Sequence, residues 1–226
     1  MLHVNRNMEI RGAERNAITP RSFMDYLGCR IGADPSGTSE INSRLGRAWA
    51  EFAKLERLWK HSTLPPKRKL EIFQAAIVTG LMYGLAASWL NTRQQRQLNG
   101  FQARCLRRIL RIPPSWLSRI SNKQVLDQAH QYPLTHQLHR QQLLLFGRIA
   151  RAPDSDLRRR LTFCPGSMRP ATDRYVRRVG RPRLEWAAQI MRLADAVWTG
   201  HGQLERLIGN ETIWRTEVLK AFPTST

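Results

Sequence analysis

Apolar positions along the chain fall mostly at helical spacing. An exception comes early. Ser22-Phe23-Met24-Asp25-Tyr26-Leu27-Gly28-Cys29-Arg30-Ile31-Gly32 is short, aromatic-rich and closed by glycine, which predicts a strand or a small hairpin. Ala33-Asp34-Pro35-Ser36-Gly37 follows as a turn cluster. Thr38 or Ser39 then suits the cap of a helix beginning near Glu40, whose stripe is Ile41, Leu45, Trp49, Phe52 and Trp59. Arg44, Arg47, Lys54 and Arg57 lie largely off that stripe. Ser62-Thr63-Leu64-Pro65-Pro66 ends this helix and starts a second, with Leu70, Phe73, Ile77, Leu81 and Leu85 on its buried face. Asn91 or Thr92 caps a third, with Leu98, Phe101, Cys105, Ile109 and Ile112 inward, and Pro113-Pro114 stops it. Short connections and complementary stripes predict an antiparallel three-helix bundle.

A second set of helices is expected after it. Ser121-Asn122 opens a short helix through Val125 and Leu126, and Pro133 opens another carrying Leu134, Leu138, Leu145 and Ile149. From Pro153 to Pro182 the periodicity is lost among arginines, which reads as a basic linker. Gly180 to Trp186 leads into a further helix, and a last one runs from about Glu211 to Phe222, with Ile213, Trp214 and Val218 inward. The expected fold is therefore mainly α. It divides into an irregular tail (1–20), a β-hairpin (21–37), the bundle (38–112), a following helical region (113–152), the basic linker (153–182) and C-terminal helices (183–226).

Charge changes the picture most. The 226 residues carry 37 Lys and Arg against 17 Asp and Glu, a formal net charge of +20. Such an excess repels itself in the compact state and is best tolerated beside a polyanion. The hydrophobic share of 42% is enough for a core. A membrane partner is not expected: no apolar run approaches the roughly 20 residues of a spanning helix, and Ala75 to Leu90 is broken by Gly80 and Gly84. The N-terminus lacks the apolar middle of a signal peptide. Cys29, Cys105 and Cys164 are few and far apart, which favours a reducing, intracellular setting, nucleus or cytoplasm.

No complete catalytic site is legible. Two-metal polymerases and nucleases need neighbouring carboxylates, whereas Asp25, Asp34, Asp127, Asp154, Asp156, Asp173 and Asp195 are scattered. There is no phosphate-binding GxxxxGKS/T loop and no GxSxG elbow. His130, His136, His139 and Cys164 lack the second close ligand pair of a zinc site, so neither metal nor cofactor is expected. Cys105, on an apolar face, reads as core. What remains is arginine. Arg104, Arg107, Arg108 and Arg111 stand at i, i+3, i+4 and i+7, so they are expected to share one exposed face, with no acidic residue from Arg93 to Ile120. Guanidinium groups suit bidentate phosphate contact. Arg177, Arg178, Arg181 and Arg183 belong to the less specific basic tract, which suits a nucleic-acid arm or a nuclear-import signal. Most tryptophans fall on apolar helix faces, where the core explains them; Trp116, after two prolines, fits that reading least.

The order of these features resembles the region after the palm in LINE-type non-LTR retrotransposon reverse transcriptases. The residues that carry the resemblance are Tyr26-Leu27-Gly28-Cys29-Arg30-Ile31, Glu40-Ile41 with Arg44, Ala48 and Phe52, Leu81-Met82-Tyr83-Gly84, Cys105-Leu106-Arg107-Arg108-Ile109-Leu110, Phe146-Gly147-Arg148-Ile149-Ala150-Arg151, Gly180-Arg181-Pro182 with Trp186, and Trp214-Arg215. The resemblance implies that Tyr26, Leu27 and Gly28 form a primer-grip hairpin and that the helices from Glu40 to Ile112 form a thumb against the template–primer duplex. It implies a post-thumb role for the later helices, in contact with element RNA or target DNA. The family's palm, with its paired catalytic aspartates, lies upstream of the matched region. The expectation is thus a nucleic-acid-binding, non-catalytic portion of an RNA-directed DNA polymerase, with RNA, an RNA–DNA hybrid or DNA as partner. The alternative is a basic assembly protein that binds RNA within a ribonucleoprotein.

Overall fold

A computed structural model describes residues 23–26, 29–32, 37–171, 185–198 and 201–224. Two strands come first, β1 (Phe23–Tyr26) and β2 (Cys29–Gly32), paired antiparallel with Tyr26 opposite Cys29. The described residues after them are mainly helical.

Helix α1 (Thr38–Lys54) is preceded not by a hydroxyl cap but by Gly37, whose left-handed φ of 64° glycine adopts without steric cost. The long first helix expected from the pattern breaks at Leu55. α2 (Glu56–His61) then turns Trp59 back onto Phe52, ring on ring at 5.0 Å. α3 (Pro66–Phe73) starts with proline at its first turn, widens into a π turn over Gln74–Val78 and closes as α4 (Thr79–Met82). It stops one turn short of Leu85, where Gly84 takes φ 68° and a 3-10 turn follows. α5 (Thr92–Ile109) opens on a reciprocal capping box: Gln94 N–H donates to Asn91 Oδ1 at 3.0 Å and Asn91 N–H to Gln94 Oε1 at 2.8 Å. After the single turn α6 (Ser115–Ser118), α7 (Asn122–Gln128) repeats the device with Ser121 and Gln124.

Helix α8 (Leu134–Ala150) joins two cores. Leu134 and Leu138 belong to the first, around Ile41, Phe52, Trp59, Phe73, Leu98 and Phe101. Leu143, Phe146 and Ile149 belong to the second, with α10 (Trp186–Val197), α11 (His201–Gly209) and α12 (Glu211–Ala221). Gly147 is the contact point with α12: a Cβ there would lie 2.3 Å from Trp214 Nε1, which donates to Leu143 O at 3.0 Å. Ile213, expected inward, is 46% exposed, while its neighbours Trp214 and Val218 are buried. Trp186 Nε1–H donates to Ala86 O at 2.9 Å and Gln142 Nε2–H to Ser88 O at 2.6 Å, so the 3-10 turn region links both cores.

The reading of 153–182 as a linker needs correction over its first part. α9 (Leu157–Thr162) is helical, Phe163 is buried against Phe146, and Phe163 bridges to Pro170. The pattern missed this because one fully buried phenylalanine anchors the segment and gives no periodicity. The rest of that stretch, with Arg177, Arg178 and Arg181, lies outside the described residues, as does Arg183 just after it.

Several cations cap helix ends from inside. Lys69 Nζ donates to Trp59 O at 3.1 Å and Ser62 O at 3.3 Å, and Arg151 donates to Ile208 O at 3.0 Å. These are last-turn carbonyls without helical partners, where positive charge is favoured by the helix dipole.

Candidate nucleic-acid interface

The outward side of α5 forms one wall of a groove of about 980 Å³. Its lining includes Trp49, Arg93, Arg96, Arg104, Arg107 and Arg108, together with Pro114, Ser115 and Asn122, and no carboxylate. Along α5 the exposed members are Arg93, Arg96, Arg104 and Arg108. The stripe therefore starts further toward the N-terminus than the row read from the sequence. Extending the helical spacing backward from Arg104 through Gly100 reaches Arg96 and Arg93, so the signal was present.

Trp49 makes the platform beneath this stripe. One edge meets Phe101 of the first core, ring centroids 4.9 Å apart and nearly perpendicular. Its face carries the guanidinium groups of Arg104 at 5.0 Å and Arg108 at 5.6 Å. Each such cation–π contact is worth about 0.5–1 kcal/mol at a surface. It holds the guanidinium over the ring at the groove's lining. Arg104 Nε also donates to Gly100 O at 3.3 Å. Glu56 lies close enough to Arg108 to feel its charge. Its carboxyl is held below the usual range mainly by its hydrogen-bonded neighbour Lys60, with a smaller effect from Arg108.

The four-arginine row does not stay on one exposed face. Arg107 is 7% exposed and turns under the next loop, donating to Pro113 O, Ser118 Oγ, Ile120 O and Asn122 Oδ1. Arg111 lies past the helix end at φ 58° and donates to Lys60 O at 2.8 Å, capping α2. Arg44 is also internal, 4% exposed, paired with Glu40 and donating to Leu81 O and Tyr83 O at the end of α4. All three are occupied by the fold itself. Arg47 is exposed on α1, and exposed Lys54 pairs with Glu51 at 2.7 Å. Tyr26 ends β1, and Leu27 and Gly28 lie outside the described residues.

The remaining chemistry is structural in character. Burial pushes the Cys105 thiol up to about 12, against the weaker pull of Arg108 and Arg104, so it stays protonated in the core. His136 and His139 sit beside Phe222, with Tyr132 and Trp89 stacked on their rings at 5.5 and 6.2 Å. Burial lowers the pKa of both, and the neighbouring His136 lowers that of His139 further. Among the described residues, no group of three or more His, Cys, Asp or Glu converges as a metal site. No described helix is long and apolar enough to cross a membrane.

No family model, curated protein or solved structure matches the chain.

Proposed function

We propose that this chain is a nucleic-acid-binding module that holds a phosphate backbone along the α5 groove, in the manner of the thumb and post-thumb region of a LINE-type reverse transcriptase. The observation that carries this reading is the groove: arginines line it, no carboxylate enters it, and Trp49 fixes two of the guanidiniums from behind. Preorganised cations lose less freedom on meeting phosphate than extended lysines do. The net charge of +20 adds long-range attraction to the same partner. The role is binding rather than catalysis, and RNA, an RNA–DNA hybrid and DNA are its candidate partners.

Binding of the full chain to a short RNA–DNA hybrid and to single strands, followed across a salt series, tests this. Each phosphate contact contributes about 0.9 to the logarithmic salt slope on duplex DNA and about 0.7 on a single strand. Arg104→Gln with Arg108→Gln is expected to flatten the slope by up to two contacts and weaken binding by about tenfold, with an unchanged helical circular dichroism spectrum. A slope identical to the unsubstituted chain's removes α5 from the interface. Absence of binding at moderate salt defeats the nucleic-acid reading itself.

A further inference from the structure

Of the seven tryptophans, Trp116 alone is exposed, at 80%. Its neighbour Leu117 is 62% exposed. The other six are buried or half-buried. An indole so fully in water gains nothing for the core, yet the backbone beneath it is firmly held. Arg107 reaches from α5 to Pro113 O at 3.0 Å, Ser118 Oγ at 3.4 Å, Ile120 O at 2.5 Å and Asn122 Oδ1 at 3.3 Å. Ser118 Oγ donates to Pro113 O at 3.1 Å and accepts from Ile120 N–H at 3.3 Å. Arg119 then closes the turn in the left-handed region at φ 55°. The single turn α6 is thus anchored from the helix that carries the groove's arginines, and the adjacent Pro114 and Ser115 line that groove. Trp116 follows them directly in the chain, with its indole in solvent.

Resting on the nucleic-acid reading above, we infer that the groove and Trp116 together form a site for single-stranded nucleic acid. Phosphates lie along Arg93, Arg96, Arg104 and Arg108, and an unpaired base stacks on the Trp116 indole. The choice of single strand follows from the geometry of stacking. Inside a duplex both faces of every base are covered by neighbours, so an exposed indole finds no face to meet. An unpaired base offers one, and such stacking tolerates any sequence. The positive groove beside the ring argues for a polyanion rather than an apolar protein surface.

The test uses the full chain with three probes: an unstructured oligo-uridylate, an oligo-deoxythymidylate and a long blunt-ended duplex with no unpaired nucleotide. Trp116→Ala is expected to weaken both single strands by about tenfold and leave the duplex within about twofold. The salt slope stays unchanged because no charge is removed, and Trp116→Phe recovers most of the loss. Equal losses on all three probes, or none, overturn the inference. So does a loss of self-association in Trp116→Ala, which would make the indole a contact between two copies of the chain. If the Arg104→Gln, Arg108→Gln variant flattens the slope while Trp116→Ala binds normally, the stacking site alone fails. If the unsubstituted chain binds no probe, the functional reading fails with it.

Discussion

On α5, Arg104 and Arg108 lie over the Trp49 ring and line a groove that holds no carboxylate. On α9, the run Arg158-Arg159-Arg160 is denser, yet Arg158 is held by Asp156 at 2.6 Å and Arg159 by Asp154 at 2.6 Å. Arg159 also donates to Ala150 O and to Ser167 O, which ties α9 to the end of α8. Counting charges ranks the second region above the first. Accounting for partners reverses the order, because an arginine already bound to carboxylate must give up that bond before it can hold phosphate. Charge density along a sequence is therefore a poor guide to which arginines lack a carboxylate partner when acids precede the arginines by two to five residues.

The sharpest break in this comparison comes from Arg107, which shares its helix with Arg104 and Arg108 but not their exposure. Arg107→Met is expected to destabilise the chain by about 3 kcal/mol, since it removes the guanidinium donor of the Ile120 carbonyl and one of the two donors to the Pro113 carbonyl. Arg104→Gln at the same helix should cost less than about 1 kcal/mol, mostly its contact with Trp49. Urea unfolding of both variants checks this; equal costs would mean that Arg107 is not a structural tie. A smaller effect separates the two regions directly. Arg158→Gln and Arg108→Gln remove the same charge, but the first is expected to change nucleic-acid affinity by less than about twofold and the second by several-fold. Similar losses from both would return the interface to net charge alone. The finest effect is a titration. Asp156 is pushed down from 3.8 to about 2, chiefly by its hydrogen bonds from the Arg158 side chain and backbone. A depressed carboxyl contributes to stability above its ordinary value, and that contribution disappears as pH falls through about 2. Carboxyl NMR should place the midpoint there and move it upward in Arg158→Gln.

Much of the architecture was legible in the sequence. The stripes of α1, α5 and α8 follow apolar periodicity, and Asn91, Ser121 and Pro66 mark helix starts as their chemistry requires. The breaks were not. The stop at Leu55 and the π turn at Gln74–Val78 fall inside continuous apolar stripes, so the periodicity does not announce them, and the stop before Leu85 is marked only by Gly84. The groove was half legible. Arg104 and Arg108 emerge from helical spacing, whereas Arg107, one position away, is diverted by a loop whose position no local pattern reveals. Trp49 reads as core from its stripe and turns out to be the platform for the arginines.

The sequence by itself determined that this is a helical, strongly positive chain with its apolar residues on one side of each helix, because periodicity and charge are local properties of the order of residues. Tertiary structure alone decided which cations face outward. Whether a guanidinium meets water, a carboxylate or an orphan carbonyl depends on what lies across from it, and for Arg44, Arg107 and Arg111 that neighbour comes from another helix or loop.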